Sequence, residues 1–194
     1  SPRASFTRFL YSILNVLEPI LPICKNDVEQ SISDLEISKK EIFSGNLSEN
    51  NISLNLAGFT KDIIAIYYPS GLRSSAIRYK NCLQENGKVH AMIEDVIESC
   101  HNGIVSWEKE SIVNPVMIQG SDDHVKTKER WKILEEFFYK KNIDYMKINS
   151  VKGGILSKIV NLNYLLDYSS IYTAILNKID PTPVRSIDYI KSKL

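Results

Sequence analysis

Two side chains suited to moving protons, Glu85 and His101, stand sixteen residues apart in this chain. Glu85 lies in Gln84-Glu85-Asn86-Gly87-Lys88, at the end of a helical pattern, where Gly87 supplies a stop because glycine enters the left-handed conformation cheaply. His101 lies in Cys100-His101-Asn102-Gly103, which closes a predicted acidic helix containing Glu94, Asp95 and Glu98. Alone, each has an ordinary reading: a solvated helix-end carboxylate, and a cation that complements a helix dipole. Together they are a carboxylate base and the side-chain type that most readily exchanges protons near neutral pH, the pieces of general acid–base catalysis.

Other clusters read differently. Asp122, Asp123 and His124 could be combined with His90 as a metal site. Neighbouring positions on one turn rarely converge on a single ion, however, and acidic residues ahead of Thr127 and Glu129 suit the start of a helix. No metal and no cofactor are expected. Lys152-Gly153-Gly154 lacks the spacing of a phosphate-binding loop, and its glycines predict a left-handed turn before the last long helix. Cys24, Cys82 and Cys100 are odd in number and lack a CxxC spacing, which predicts reduced thiols acting as small buried hydrophobes in a cytoplasmic protein. A formal charge of +1 without an arginine-rich stripe argues against nucleic acid as a partner. The apolar run from Phe9 to Leu17 is too short to span a bilayer and is followed by Glu18 and Pro19, so it reads as a core helix and no membrane partner is expected.

The elements that must position these residues follow from periodicity. Phe6, Phe9, Leu10, Ile13, Leu14 and Leu17 form one helical stripe, and Val28, Ile32, Leu35 and Ile37 a second, with Asn26 as its cap. Residues 44–51 form a polar loop with a short helix after it. Apolar runs at Ile63 to Tyr68, Ile112 to Ile118 and Ile143 to Ile148 predict strands covered on both faces. Helical patterns separate them at Leu72 to Gln84, Thr127 to Tyr139 and about Ile155 to Asn177. This alternation predicts an α/β three-layer sandwich with a doubly wound, mainly parallel sheet. Such sheets bind ligands beyond the carboxyl ends of their strands, which points first to Pro69-Ser70-Gly71 and Gln119-Gly120-Ser121.

Six pieces in order give the chain a resemblance to the bifunctional phosphoglucose/phosphomannose isomerases of archaea and bacteria, in the half containing their second sugar-isomerase (SIS) domain. These are Pro2-Arg3-Ala4, the strand and turn ending at Ser70-Gly71, the Glu85 motif, His101-Asn102, Ser121-Asp122-Asp123-His124, and the ending from Asp180 through Thr182 to Lys191. Gln84 stands where the family has Asn. The resemblance implies an SIS-like, flavodoxin-like fold. It also implies that glucose 6-phosphate or mannose 6-phosphate is isomerised to fructose 6-phosphate, through an enediolate and without metal, in glycolysis and gluconeogenesis. Glu85 would transfer the carbon-bound proton, His101 would open the ring, Lys191 would assist at the ring oxygen or hydroxyl, Arg3 would stabilise the charged intermediate, and Thr182 would help accommodate the mannose epimer.

The same resemblance implies a division into residues 1–45, a helical segment that is the hinge from a first SIS domain; residues 46–180, the SIS-like domain; and residues 181–194, a helix carrying Lys191. It implies a homodimer in which the His comes from the neighbouring subunit. The family's Ser-Gly-Asn-Thr phosphate turn, carried by the first SIS domain, does not occur in this chain. Gly45-Asn46-Leu47-Ser48 is no substitute, since it follows a helix. The expectation is half an active site, inactive without an N-terminal SIS domain or a complementary chain. The competing expectation is a non-catalytic SIS module that binds a phosphosugar or a partner chain.

Overall fold

The computed structural model describes residues 2–194. Ser1, where the first expected segment begins, lies outside the described residues. In chain order the elements are α1 (Phe6–Leu17), α2 (Lys25–Ile42), α3 (Ile52–Phe59), β1 (Ile63–Tyr68), α4 (Arg73–Cys82), β2 (His90–Asp95), α5 (Val96–Ser99), β3 (Val113–Gln119), α6 (Val125–Lys140), β4 (Met146–Asn149), α7 (Ile155–Leu176) and α8 (Arg185–Lys191).

All four strands run parallel, in the order β2-β1-β3-β4. Side chains of β1 alternate between two cores, as the period of two requires. Ile64, Ile66 and Tyr68 face Leu56 of α3, Ala76 and Tyr79 of α4, and Leu162 and Leu166 of α7. Ala65 and Tyr67 face Val96 of α5, Trp107, and Trp131, Leu134 and Phe138 of α6. The result is the expected three-layer α/β sandwich. Pro115 is tolerated in the central β3 because β4 begins only opposite Val116, so one side of the proline has no neighbouring strand. The Phe138 ring, fully buried, meets Trp107 edge-on at 5.2 Å between centroids, an arrangement that adds to simple burial.

Helix starts are fixed by side chains that accept orphan N–H groups. Asn51 accepts from Leu54 N at 3.0 Å, Asp95 from Ile97 N at 2.9 Å, and His124 Nδ1 from Lys126 N at 3.2 Å. The Gly45-to-Ser48 loop serves the first of these caps, since the Asn51 amide donates to Asn46 O at 2.7 Å. Asp123 accepts from Gly120 N and Trp131 Nε1, both at 2.9 Å, and Asp122 pairs with Lys158, so this acidic turn is tied into the fold. Gly153 has φ +110°, the left-handed turn expected ahead of α7.

Several expectations are corrected. The acidic stretch from residue 90 is a strand followed by one helical turn. Val89, Ala91 and Ile93 alternate inward onto the core while His90 and Met92 face out, the pattern of an edge strand. Helix α1 is not a core helix: it buries no residue, Phe6, Leu10, Leu14 and Leu17 are only half-buried, and Phe9, Ile13 and Val16 are 59%, 53% and 72% exposed, although Tyr11 hydrogen-bonds Ser31 of α2 at 2.7 Å. Helix α2 starts at Lys25 with Cys24 as its cap, two residues before the expected cap Asn26. Cys82 is buried, but Cys100 is intermediate and Cys24 exposed. The third expected strand begins at Met146, after Asn142 turns the chain with φ 53°.

Candidate functional site

Helix α4 does not end on a glycine. After Cys82 the backbone widens into one π turn, Leu83–Gly87, and Lys88 takes the left-handed conformation, φ 55°. Such widened turns appear mostly as isolated insertions and often at functional sites. Here the turn buries Leu83, Asn86 and Gly87 and leaves Glu85 with its side chain 37% exposed. Asn86 is the pin: its amide donates to Ser170 Oγ on α7 at 2.8 Å, and its carbonyl oxygen accepts from Arg3 at 2.7 Å.

The Arg3 guanidinium collects three segments of the chain. Its Nε lies 3.4 Å from the Glu85 carboxylate. Nη1 donates to Asn86 Oδ1 and to Pro181 O at 2.8 Å, and Nη2 donates to Thr182 O at 2.9 Å. Lys88 reinforces the same junction, donating to Glu85 O at 2.5 Å and to Pro183 O at 2.7 Å. Thr182 N donates to Asp180 Oδ1 at 2.8 Å, and the bonds from Thr182 hold the Asp180 carboxyl below its usual range. Arg3, Glu85 and Thr182 are therefore brought together. Thr182 is held through its backbone carbonyl, and the residue is exposed.

A cavity of about 530 Å³ opens beside this junction, lined among others by Arg3, Phe6, Asn86, Asp167, Tyr168 and Thr182. Its size falls within the range of small-molecule sites, ~300–1,000 Å³. One wall carries Asp167, ion-paired behind it with Arg78 at 2.6 Å, and the buried Cys82 thiol, whose Sγ donates to Asp167 at 3.3 Å. Burial raises the Asp167 carboxyl, an effect that the Arg78 contacts oppose. Burial, with the nearby Asp167 charge, pushes the Cys82 thiol up to about 12.

His101 and Lys191 are not part of this junction. Glu85 precedes β2 and His101 follows it, so the two flank opposite ends of a six-residue strand, about 20 Å long at ~3.3 Å per residue. His101 is exposed on the turn after α5, at the carboxyl edge of the sheet, whereas the Glu85 turn is at the amino edge. The Arg3–Glu85 cluster thus lies away from the carboxyl-edge loops at Ser70 and Gly120. Lys191 is in the last turn of α8, a helix with no buried residue. Among the described residues, no group of His, Cys, Asp and Glu side chains is arranged to hold a metal. No described helix is long and apolar enough to cross a membrane.

Residues 49–194 match a family described as the bacterial phospho-glucose isomerase C-terminal SIS domain. The chain belongs to that family. A bifunctional phosphoglucose/phosphomannose isomerase of Caldicellulosiruptor bescii is 27% identical over 191 residues, covering 95% of this chain and 55% of the relative. One from Aquifex aeolicus is 26% identical over 201 residues, covering all of this chain and 58% of the relative. The chain therefore spans little more than half the length of these curated relatives. Among solved structures, a glucose-6-phosphate isomerase like protein from Thermus thermophilus superposes with a TM-score of 0.66 at 13% identity, covering 81% of this chain and 52% of that one. That likeness shows the SIS-type fold.

Within this SIS domain, residue pattern alone assigns no role to Asn86, Lys88, Arg78 or Asp167. The first two are visible as part of the Glu85 motif, and their chemistry emerges only when the turn is closed. Arg78 and Asp167 are 89 residues apart, and no local pattern marks them as partners.

Proposed function

We propose that this chain is the C-terminal half of a phosphoglucose/phosphomannose isomerase, interconverting glucose 6-phosphate or mannose 6-phosphate with fructose 6-phosphate. Moving a proton between C1 and C2 needs a carboxylate base on the carbon acid and a cation near the oxyanion of the enediolate. Glu85 is the base and Arg3 the cation. The single observation that carries this reading is their pairing at 3.4 Å beside a cavity of substrate size. Thr182, anchored to the same guanidinium, is the position that meets the C2 epimer.

His101 opens the sugar ring, and Lys191 assists at the ring oxygen. Neither is placed at the Arg3–Glu85 junction within this chain, which suits a homodimer in which His101 completes the neighbouring subunit's site. The substrate phosphate is held by a Ser/Thr-rich turn on an N-terminal SIS domain or complementary chain. Residues 1–45 then form the connection to that domain, residues 46–180 the SIS body, and residues 181–194 the arm carrying Lys191. The setting is cytoplasmic sugar metabolism.

The second reading, a non-catalytic module that binds a phosphosugar or a partner chain, is favoured by the separation of His101 from Glu85. A coupled assay with glucose 6-phosphate and mannose 6-phosphate separates the two. It is run on this chain alone and on the chain joined to the domain encoded upstream. Activity in the joined protein that Glu85→Gln abolishes is the expected result; sugar phosphate binding without turnover would establish the module instead.

A further inference from the structure

Arg78 joins three partners. On α4, its Nε donates to Asp167 Oδ1 at 2.9 Å and its Nη2 to Asp167 Oδ2 at 2.6 Å, a two-pronged pairing with a carboxylate on α7. The same Nη2 donates to the backbone carbonyl of Arg3 at 3.0 Å. The face of the guanidinium lies over the Phe6 ring, 4.3 Å from its centroid. Cys82 adds a weak donor to Asp167 Oδ1 at 3.3 Å. The pair is well shielded, with side chains 19% and 27% exposed.

The consequence concerns Arg3. Its guanidinium meets Glu85 from a backbone held against α4, while α1, which follows it, buries no side chain and is tied to α2 through the Tyr11–Ser31 hydrogen bond of 2.7 Å. Arg78 supplies that anchorage twice, at residue 3 by a hydrogen bond and at residue 6 through the ring. Asp167 in turn fixes the orientation of Arg78, because a bidentate pairing leaves the guanidinium plane no freedom to rotate. Lysine would keep the charge and lose both the fork and the planar face.

We infer that Arg78, oriented by Asp167, is the positioning residue that sets Arg3 against Glu85; the inference rests on the catalytic reading of those two residues. Arg78 touches no reacting atom and acts through Arg3.

The test is a double-mutant cycle in the joined protein, using Arg78→Lys, Arg3→Ala and the combination, with kcat and KM measured for each. Arg78→Lys is expected to lower kcat about 10- to 100-fold with KM changed less than about threefold, the signature of an interaction used in the transition state. In the Arg3→Ala background the same substitution should change kcat less than about twofold, because its target is gone. Independent, multiplicative losses would overturn the inference. A second readout does not depend on turnover: the Nε–H resonance of Arg3 in ¹⁵N-arginine-labelled protein. It should move to the position of a free arginine in Arg78→Lys while the core resonances stay in place. A resonance that does not move overturns the inference, whatever the kinetics. If the wild type shows no isomerase activity, the catalytic reading falls and this resonance alone decides whether Arg78 positions Arg3.

Discussion

Arg3 Nε stands 3.4 Å from the Glu85 carboxylate, although 82 residues separate them along the chain. Both side chains are partly exposed, 24% and 37%, so solvent screens the pair and its worth to stability is at most about 1 kcal/mol. Its effect should therefore appear in rate. Arg3→Lys keeps a positive charge but loses the fork that faces Glu85, Asn86 and the two carbonyls. We expect kcat to fall by about 10²-fold, the scale of losing one oxyanion-stabilising donor. The melting temperature should move by no more than about 2–4 °C. A coupled assay and a thermal melt check both, and an unchanged kcat would remove Arg3 from the mechanism.

Asn86 should behave in the opposite way. It is 5% exposed and bridges Arg3 to Ser170 with bonds of 2.7 and 2.8 Å. Asn86→Ala strips a buried hydrogen-bonding bridge, which costs roughly 1–3 kcal/mol. The melting temperature should fall by several degrees, and denaturant titration at constant slope would measure the loss. A midpoint equal to that of wild type would mean that the widened turn is held by other contacts.

Glu85 and His101 lie beyond opposite ends of β2, which makes subunit mixing informative. If each active site takes Glu85 from one subunit and His101 from its partner, Glu85→Gln and His101→Asn proteins are each inactive alone. A mixed dimer then has one site with both defects and one with neither. After unfolding and refolding an equimolar mixture, random pairing in a symmetric dimer should restore about a quarter of wild-type activity. No recovery, with mixed dimers demonstrably formed, would place both residues in one subunit's site.

What could be read from the residues depended on how each one is buried. Strands β1 and β3 were legible because both faces are covered, so Ile63 to Tyr68 and Val113 to Ile118 are nearly unbroken apolar runs. Strand β2 lies at an edge, and its outward His90 and Met92, with Glu94 and Asp95 at its end, imitate a polar helix. The stripe of α1 was real as a pattern, but a pattern does not say whether a partner covers it. The Glu85 motif marked a turn that the fold closes against Arg3. The left-handed residue proved to be Lys88 instead of Gly87, because the π turn shifts the stop by one position. The contact with Arg3 and the distance from His101 depend on the path of the chain through the sheet, which residue spacing does not contain.

Cys82 gives a prediction with a definite sign. Its thiol is pushed from 9.0 up to about 12, chiefly by burial and then by the negative charge of Asp167. A thiol whose folded value is raised binds its proton more tightly in the native state. The resulting stabilisation is complete below the unfolded value and is lost as pH climbs from 9.0 toward 12. Between pH 8 and 10, wild type should lose stability relative to Cys82→Ala, by up to ~1.4 kcal/mol per pH unit once past the unfolded value. Urea titrations at the two pH values measure this, and the comparison cancels contributions from Cys100, Tyr67 and Tyr79. Native-state reactivity follows from the same shift: burial holds the Cys82 thiol protonated at pH 8, so a disulfide reagent should modify exposed Cys24 first and Cys82 last. A gap between the two proteins that stays constant from pH 8 to 10, or rapid labelling of Cys82 in the folded protein, would show that the thiol is not buried against Asp167.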